Sequence, residues 1–417
     1  MQHSSNHRVV VTGIGAVTPL GLDMESTWQA LVNGQSGVGP ITRFAPNPLP
    51  VKVACEVKNF DPSPYIDPTE VRRMDLFEQF ALAAARQAVA QARLEITPEI
   101  ADSVGVVIGS AIGGFSTILN QYDILREQGP RRVSPFAIPM IMSNGAAGMV
   151  AIALGARGPS YSPASACATS NDSLGQAAEL IRRGVAVAMI AGGADATVSV
   201  LGMAGFDRLG ALSHDNALPS SSPKPFDKYR DGIVMGEGAC VMVLESLEFA
   251  LKRGANILAE LAGYGQTTDA FHVIAPAEGG AGAARAIRRA MDQANVRPEE
   301  IDYINAHGTA TPLNDIAETQ AVKAVLGEHA YRVPMSSTKS MTGHMMGATG
   351  ALEAAVCVYA IQRGVIPPTR NLTEPDPQCD LDYVPGEARA HRVRVAMNNS
   401  FGFGGHNSVL IFKRYDG

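Results

Sequence analysis

Short apolar runs alternate with alanine-rich segments of helical spacing along most of the chain, and Gly or Pro marks nearly every change of period. Arg8-Val-Val-Val-Thr-Gly13 is β-branched, short and closed by glycine, so it reads as a buried strand. The pattern predicts a helix over 78–94, a break at Thr97-Pro98 and a strand over 103–109. The same trio returns about 200 residues later, as a helix over 283–296, a break at Arg297-Pro298 and a strand over 301–308. A second pair follows in the same order. The helix ending in Ile181-Arg-Arg-Gly184 precedes an apolar strand over 185–192, and the helix over 351–364, ending in Ile361-Gln-Arg-Gly364, precedes Val365-Ile366-Pro367. Two matched pairs predict an internally duplicated α/β fold, and the alternation predicts parallel sheets covered by helices. No stretch reads as a linker. The most turn-rich one, 213–232, reads as a long ordered excursion between the halves.

Composition narrows the class. The 417 residues suffice for two domains or one large α/β unit. Lys plus Arg is 34 against 40 Asp plus Glu, a net charge of −6, which excludes a basic nucleic-acid footprint as a bulk property. With 46% apolar and 18% charged residues and 42 glycines, the chain suits a closely packed enzyme or oligomer rather than a disordered or fibrous one. Five cysteines with no CxxC pair point to a reducing compartment and give no metal-ligand spacing. Met1 to His7 is polar, and no apolar run reaches the roughly 20 residues of a membrane span, so a soluble cytoplasmic protein is expected.

Five motifs could carry chemistry. Thr12-Gly13-Ile14-Gly15 follows a strand, but Thr18-Pro19 stands where a dinucleotide fingerprint needs a small residue, which favours a tight structural turn. Cys167, among Ala166, Ala168 and Thr169, opens a predicted helix, where unpaired N–H groups favour a thiolate and can hold an oxyanion. Alone, such a cysteine is more often a small buried residue. His307, in His307-Gly-Thr-Ala-Thr-Pro312, ends a predicted strand, where α/β sheets place their sites, and a structural histidine fits the position as well. His344, in Lys339-Ser-Met-Thr-Gly-His344, enters the second small-residue helix and so takes the place in the second half that Cys167 takes in the first. Asn399-Ser-Phe-Gly-Phe-Gly-Gly405 lets backbone approach a ligand, with Phe401 and Phe403 along an apolar channel, or is a plain hairpin with core aromatics.

Together, in this order and spacing, these motifs resemble the elongating β-ketoacyl-acyl-carrier-protein synthases, most closely the bacterial synthase II type. The likeness runs nearly end to end and includes Pro225-Phe-Asp-Lys-Tyr-Arg-Asp-Gly232. It implies the thiolase fold, two similar βαβαβαββ halves in a five-layered α/β/α/β/α core, here 8–260 with the cysteine and cap insertions and 261–414 with both histidines. It implies a decarboxylating Claisen condensation of an acyl chain with malonyl-acyl carrier protein, by a ping-pong cycle through an acyl-Cys167 thioester. No cofactor and no metal are implied, since the substrates ride on the carrier's phosphopantetheine. His307 and His344 would each donate an N–H to the enolate formed as carbon dioxide leaves. The N–H groups of Cys167 and Phe403 would form the oxyanion hole. Lys339 would orient the site and pair with Glu353, or else be a solvated surface lysine. Asp315 would serve structurally, Thr309 and Thr311 would bind the pantetheine arm, and Phe403, beside Phe401, would gate the acyl pocket.

The resemblance also implies partners. Arg72, Arg73, Arg131 and Arg132 match basic positions that meet an acidic acyl carrier protein, with ordinary surface arginines as the lesser alternative, and Thr69 replaces a third basic position. A homodimer is expected, or a heterodimer with a chain-length-factor-like subunit, and neither nucleic acid nor membrane. Ile112 falls where relatives place a residue at the end of the acyl pocket and at the dimer contact. Phe271, Val273, Ile274 and Ser170 depart from the usual pattern, which suits a polyene or polyketide pathway as well as neutral drift. Cys167 with both histidines argues against a non-catalytic chain-length factor. Phe403-Gly404 in place of a second catalytic cysteine argues against a biosynthetic thiolase, and His344 argues against an initiating synthase.

Overall fold

A computed structural model describes residues 7–216 and 221–417; the first six residues of the polar N-terminal segment, and 217–220 of the turn-rich stretch, lie outside the described residues. Ten strands join in one sheet: β1 Val9–Val17, β2 Val104–Gly109, β3 Ser160–Tyr161, β4 Ala188–Asp195, β5 Gly238–Ser246, β6 Ala259–Thr268, β7 Tyr303–Asn305, β8 Met335–Ser336, β9 Val395–Gly402 and β10 His406–Lys413. Their order is β8-β7-β9-β10-β6-β1-β5-β4-β2-β3. Outward from the centre this reads 1-5-4-2-3 on one side and 6-10-9-7-8 on the other, so every strand of the first half has a counterpart five numbers later. The duplication predicted from two helix-strand pairs therefore extends over the whole sheet. The halves meet antiparallel where Val10 faces Glu260 and Val11 faces Ala259.

Helices complete five layers. Leu76–Ala92 (α1) and Gly145–Leu154 (α3) cover the first half's outer face, with Phe115–Gln128 (α2) between them in chain order. Ala281–Ala294 (α5) and Pro312–Leu326 (α6) cover the second half's outer face, while Thr169–Arg182 (α4) and Thr349–Arg363 (α7) fill the middle. The start of α1 is set by Asp75, whose side chain accepts from the Phe77 N–H while Glu78 caps the Asp75 N–H, and Arg93 ends it in a left-handed conformation. The middle layer holds the largest core: Leu352, Val356, Val358 and Ile361 of α7 meet Leu174 and Ile181 of α4, all buried. Each such side chain contributes roughly 1.5–3 kcal/mol by leaving water.

Four expectations change. The sheet is mixed rather than parallel: β2, β3 and β4 run parallel, whereas β5 pairs antiparallel with both β1 and β4. In the second half the reason is visible, because β9 and β10 are joined by 403–405 alone, and so short a turn can only reverse the chain. The pair Val365–Ile366 does not enter the main sheet but pairs with Arg389–Ala390, since Pro367 and Pro368 cannot donate to a ladder. Gly13 and Gly15 form neither a cofactor loop nor a turn. They lie inside β1, where a Cβ would come within 2.1 Å of the Ala88 carbonyl and 2.0 Å of the Ala84 carbonyl of α1. Gly263 and Gly265 of β6 admit α5 in the same way, 2.2 and 2.1 Å from the Ala290 and Ala286 carbonyls. The turn-rich excursion links β4 to β5 within the first half, yet it docks on the second, where Phe226 stacks on Tyr383 at 3.9 Å and Arg230 pairs with Asp376 at 2.7 Å.

Candidate active site

Cys167 lies in a single tight turn, Ala166–Ala168, just before α4. Ala166 has φ 51°, a left-handed conformation that a side chain with a Cβ adopts at a cost of about 1–2 kcal/mol. The surrounding bonds hold it there. Ser165 N–H donates to Thr169 Oγ1 at 2.9 Å, Ser165 Oγ donates to Asp172 at 2.5 Å, and Ser400 Oγ donates to the Cys167 carbonyl at 2.9 Å. The second half repeats the turn at Met346–Ala348 before α7, with Met346 at φ 49°. This register makes Gly347, not His344, the counterpart of Cys167; His344 stands three residues earlier and reaches back.

The reach is short. His344 Nε2 is 3.1 Å from Cys167 Sγ, and the sulfur and the nearest ring nitrogens of His307 and His344 lie within 4.8 Å of one another. The Met346 N–H points to His344 Nδ1 at 3.1 Å, so Nδ1 accepts and the neutral ring carries its proton on Nε2, facing the sulfur. The two imidazoles meet edge to face with centroids 5.8 Å apart. Burial, joined by the Lys339 charge, pushes the His344 pKa down to about 3 and that of His307 well below its ordinary value. Both rings are neutral donors at physiological pH.

The thiol departs from expectation. Burial pushes Cys167 up to about 11, outweighing the opposing pull of Lys339 and of the Phe403 and Cys167 N–H groups. A position ahead of a helix favours thiolate, but here the packing around the partly buried sulfur outweighs it. The same two N–H groups lie beside the sulfur. Lys339 is buried, not a solvated lysine, and donates to Glu353 at 2.5 Å.

Sequence reasoning missed Glu318. Its carboxylate accepts the His307 and Gly308 N–H groups, each at 2.8 Å, and the Asn399 amide at 3.0 Å, fixing the backbone under His307. The available signal was a second acid three residues after Asp315 on the same helix face. Asp315 itself accepts the Phe226 N–H at 2.8 Å and lies 3.7 Å from Arg230, pinning the excursion. Missed too was Asp195, which accepts the Gly347 N–H at 2.7 Å and Ser110 Oγ at 2.6 Å.

A cavity of about 410 Å³, mostly apolar, opens onto these groups. Cys167, His307, His344, Thr309, Thr311, Phe401 and Phe403 all line it, as do Phe206 and Met346, which the sequence did not single out. Thr309 and Thr311 hydroxyls lie 2.9 Å apart, and Phe206 stacks on Phe403 with centroids at 6.3 Å. Ile112 is not on this lining; it is exposed just beyond Ser110 and Ala111. The four arginines are exposed as well. Arg73 lies over the Phe136 ring at 4.8 Å, which brings the Arg72-Arg73 and Arg131-Arg132 segments onto one face.

Residues 6–250 match the family described as Beta-ketoacyl synthase, N-terminal domain, and 258–373 match Beta-ketoacyl synthase, C-terminal domain. The chain belongs to the β-ketoacyl synthase family. It is 50% identical over 415 residues to the 3-oxoacyl-[acyl-carrier-protein] synthase 2 of Synechocystis sp., covering 100% of both chains. Among solved structures it is similar to the ishigamide ketosynthase/chain length factor, with TM-score 0.92, 40% identity and coverage of 98% and 100%. It is similar also to a ketosynthase solved in complex with its type II polyketide acyl-carrier protein, with TM-score 0.90, 34% identity and coverage of 99% and 100%. Among the described residues no helix is long and apolar enough to cross a membrane.

Proposed function

We propose that the protein is a 3-oxoacyl-[acyl-carrier-protein] synthase that lengthens an acyl chain by two carbons. The reading rests on one observation above others, the convergence of the Cys167 sulfur and two neutral imidazoles within 4.8 Å at an apolar cavity. In the first half-reaction Cys167 attacks the acyl thioester of a carrier protein, the acyl-cysteine bond forms, and the carrier leaves as a free thiol carrying the displaced proton. The N–H groups of Cys167 and Phe403 hold the tetrahedral oxyanion. In the second, malonyl-carrier protein loses carbon dioxide, His307 and His344 donate to the enolate oxygen, and the carbanion attacks the acyl carbonyl; the carbon–sulfur bond breaks, Cys167 leaves as thiolate and regains a proton from water, and the product is a 3-oxoacyl-carrier protein. The buried Lys339–Glu353 pair keeps a positive charge near the sulfur and disfavours imidazolium. Thr309 and Thr311 present hydroxyls to a pantetheine arm, and Phe403 gates the acyl pocket.

The same reading assigns Arg72, Arg73, Arg131 and Arg132 to carrier docking and the protein to the cytoplasm, with no cofactor of its own. The halves 8–260 and 261–414 are arms of one duplication rather than separable domains. Ile112, with the exposed Ile118, Tyr122, Leu125 and Tyr161, supports a dimer, homomeric or with a chain-length-factor-like subunit. A second reading, a ketosynthase of a type II polyketide or polyene pathway with the same chemistry, is favoured by the likeness to the ishigamide ketosynthase. Incubation with a series of acyl-carrier proteins, followed by mass measurement of the Cys167 adduct, separates the two. Preference for saturated chains supports fatty-acid use, preference for polyene or polyketide chains supports the second reading, and no adduct with any carrier overturns both.

A further inference from the structure

Asp172 stands one turn into α4, 1% exposed, and takes no part in the chemistry above. Its carboxylate accepts three hydrogen bonds: Ser165 Oγ at 2.5 Å, Tyr264 Oη at 2.9 Å and Gln266 Nε2 at 2.9 Å. Ser165 immediately precedes Ala166, the left-handed residue of the nucleophile turn, while Tyr264 and Gln266 belong to β6 of the other half. Room for the tyrosine is built in, because a Cβ on Gly175 would meet the Tyr264 ring at 2.3 Å. A buried acid with this many donors is a fixed point, and a strained turn persists only where its surroundings over-determine it.

We propose that Asp172 is a positioning residue for the nucleophile. It anchors the Ser165 hydroxyl to the second half's strand and so holds the turn that aims Cys167 at the two histidines. The carboxylate is an acceptor only, whereas an amide at this position turns an N–H₂ group toward donors. The counterpart turn at Met346–Ala348 shows the same logic with another acid, since Asp195 accepts the Gly347 N–H. Asp172 acts on geometry, so its loss falls on steps that need the sulfur in place and spares steps that need only the histidines.

The proposal rests on Cys167 being the acyl acceptor, and the test separates the two. Single-turnover acylation of Cys167 by an acyl-carrier protein is measured by mass, and decarboxylation of malonyl-carrier protein is measured without acyl donor, for the wild type, Ser165→Ala, Asp172→Asn, Tyr264→Phe and Tyr264→Phe with Gln266→Ala. Ser165→Ala and Asp172→Asn are expected to slow acylation by about tenfold or more, as a small misplacement of a reacting atom does, with KM and decarboxylation within about twofold. Tyr264→Phe is expected to slow acylation less, because Gln266 still ties Asp172 to β6, while Tyr264→Phe with Gln266→Ala is expected to slow it as Ser165→Ala does; wild-type acylation in that double variant overturns the anchoring to the second half. Ser165→Ala acylating as fast as wild type, or losing decarboxylation in step with acylation, overturns the positioning role. Wild-type protein that takes no acyl group on Cys167 overturns the functional reading instead. Should Asp172→Asn fail to fold, Ser165→Ala still decides, since it deletes a single oxygen.

Discussion

The two tight turns that open α4 and α7 share a backbone and divide the labour. Each has a left-handed first residue, Ala166 at φ 51° and Met346 at φ 49°, and each leads into a threonine that starts its central helix. One carries Cys167 at its apex and the other Gly347, where a Cβ would come within 2.6 Å of Asp195 and 2.8 Å of the Ala111 nitrogen. On the proposed reading the reactive atom is therefore confined to one half, and the other half supplies donors, His344 from before its turn and His307 from beyond β7. A duplicated fold gives a site two matched helix starts; chemistry of two sequential kinds then requires that they stop being equivalent.

Breaking the asymmetry at its sharpest point gives the largest effect. Cys167→Ala is expected to lower acyl transfer by at least about a thousandfold while the protein stays folded, and adduct mass with thermal unfolding checks both. Full condensation activity in that variant would remove the nucleophile. Next come the donors. His307→Ala and His344→Ala should each slow malonyl decarboxylation by about 10²- to 10³-fold, the usual cost of losing one donor to a developing oxyanion. Because burial holds the His344 pKa near 3 and that of His307 well below normal, imidazolium does not form between pH 5.5 and 8. Decarboxylation should accordingly carry no imidazole step in that window; the groups that titrate there are Glu318 under His307 and Glu353 beside Lys339, each raised to about 7 by burial. A fall to half its value near pH 6.5 that persists unchanged in Glu318→Gln and in Glu353→Gln would mean that an imidazole titrates there.

A third change makes the turns more alike and should harm the one without a nucleophile. Gly347→Ala adds a methyl group to a position already in contact, so unfolding measurements should show a loss of about 2 kcal/mol, the common cost of overpacking. Wild-type stability would show that Asp195 and the Ala111 backbone can yield, and that the glycine is not there for space.

How far this arrangement could be read in advance depends on what each residue answers to. The alanine-rich helices and the proline breaks answer to local propensity, so the duplication was visible as period and punctuation, whereas Gly13, read as a turn, answers to the Ala88 carbonyl far along the chain. Cys167, His307 and His344 sit in local motifs and were found by them. Glu318, Asp195 and Asp172 answer to partners far along the chain: Glu318 to Asn399, Asp195 to Gly347, Asp172 to Tyr264. Apart from Asp315 one turn before Glu318, nothing near them in sequence marks a buried acid, since the same residue on an exposed helix face looks identical. The cysteine's high pKa was missed for a related reason. A helix start is a local feature, whereas desolvation is set by everything packed around it.

The smallest effect tests whether the halves differ in partners as well as in chemistry. The connection from β2 to β3 spans 110–159 and carries α2, α3 and the Arg131-Arg132 segment, while its counterpart from β7 to β8 spans 306–334 and carries α6 alone among the named helices. If carrier proteins dock on the first half, reversing charge there should act on binding and leave the chemistry intact. Replacing Arg131 and Arg132 together by Glu is expected to raise KM for a carrier-bound substrate about three- to tenfold at low salt, with kcat unchanged, and the same for Arg72 and Arg73. The penalty should shrink as salt is added, because exposed charges are screened beyond about 8 Å at physiological ionic strength. An equal rise in KM for a small pantetheine thioester that has no protein attached would place the effect inside the cavity rather than on the surface, and the docking face would then have to be sought around the exposed Phe271, Val273 and Leu313 near the cavity.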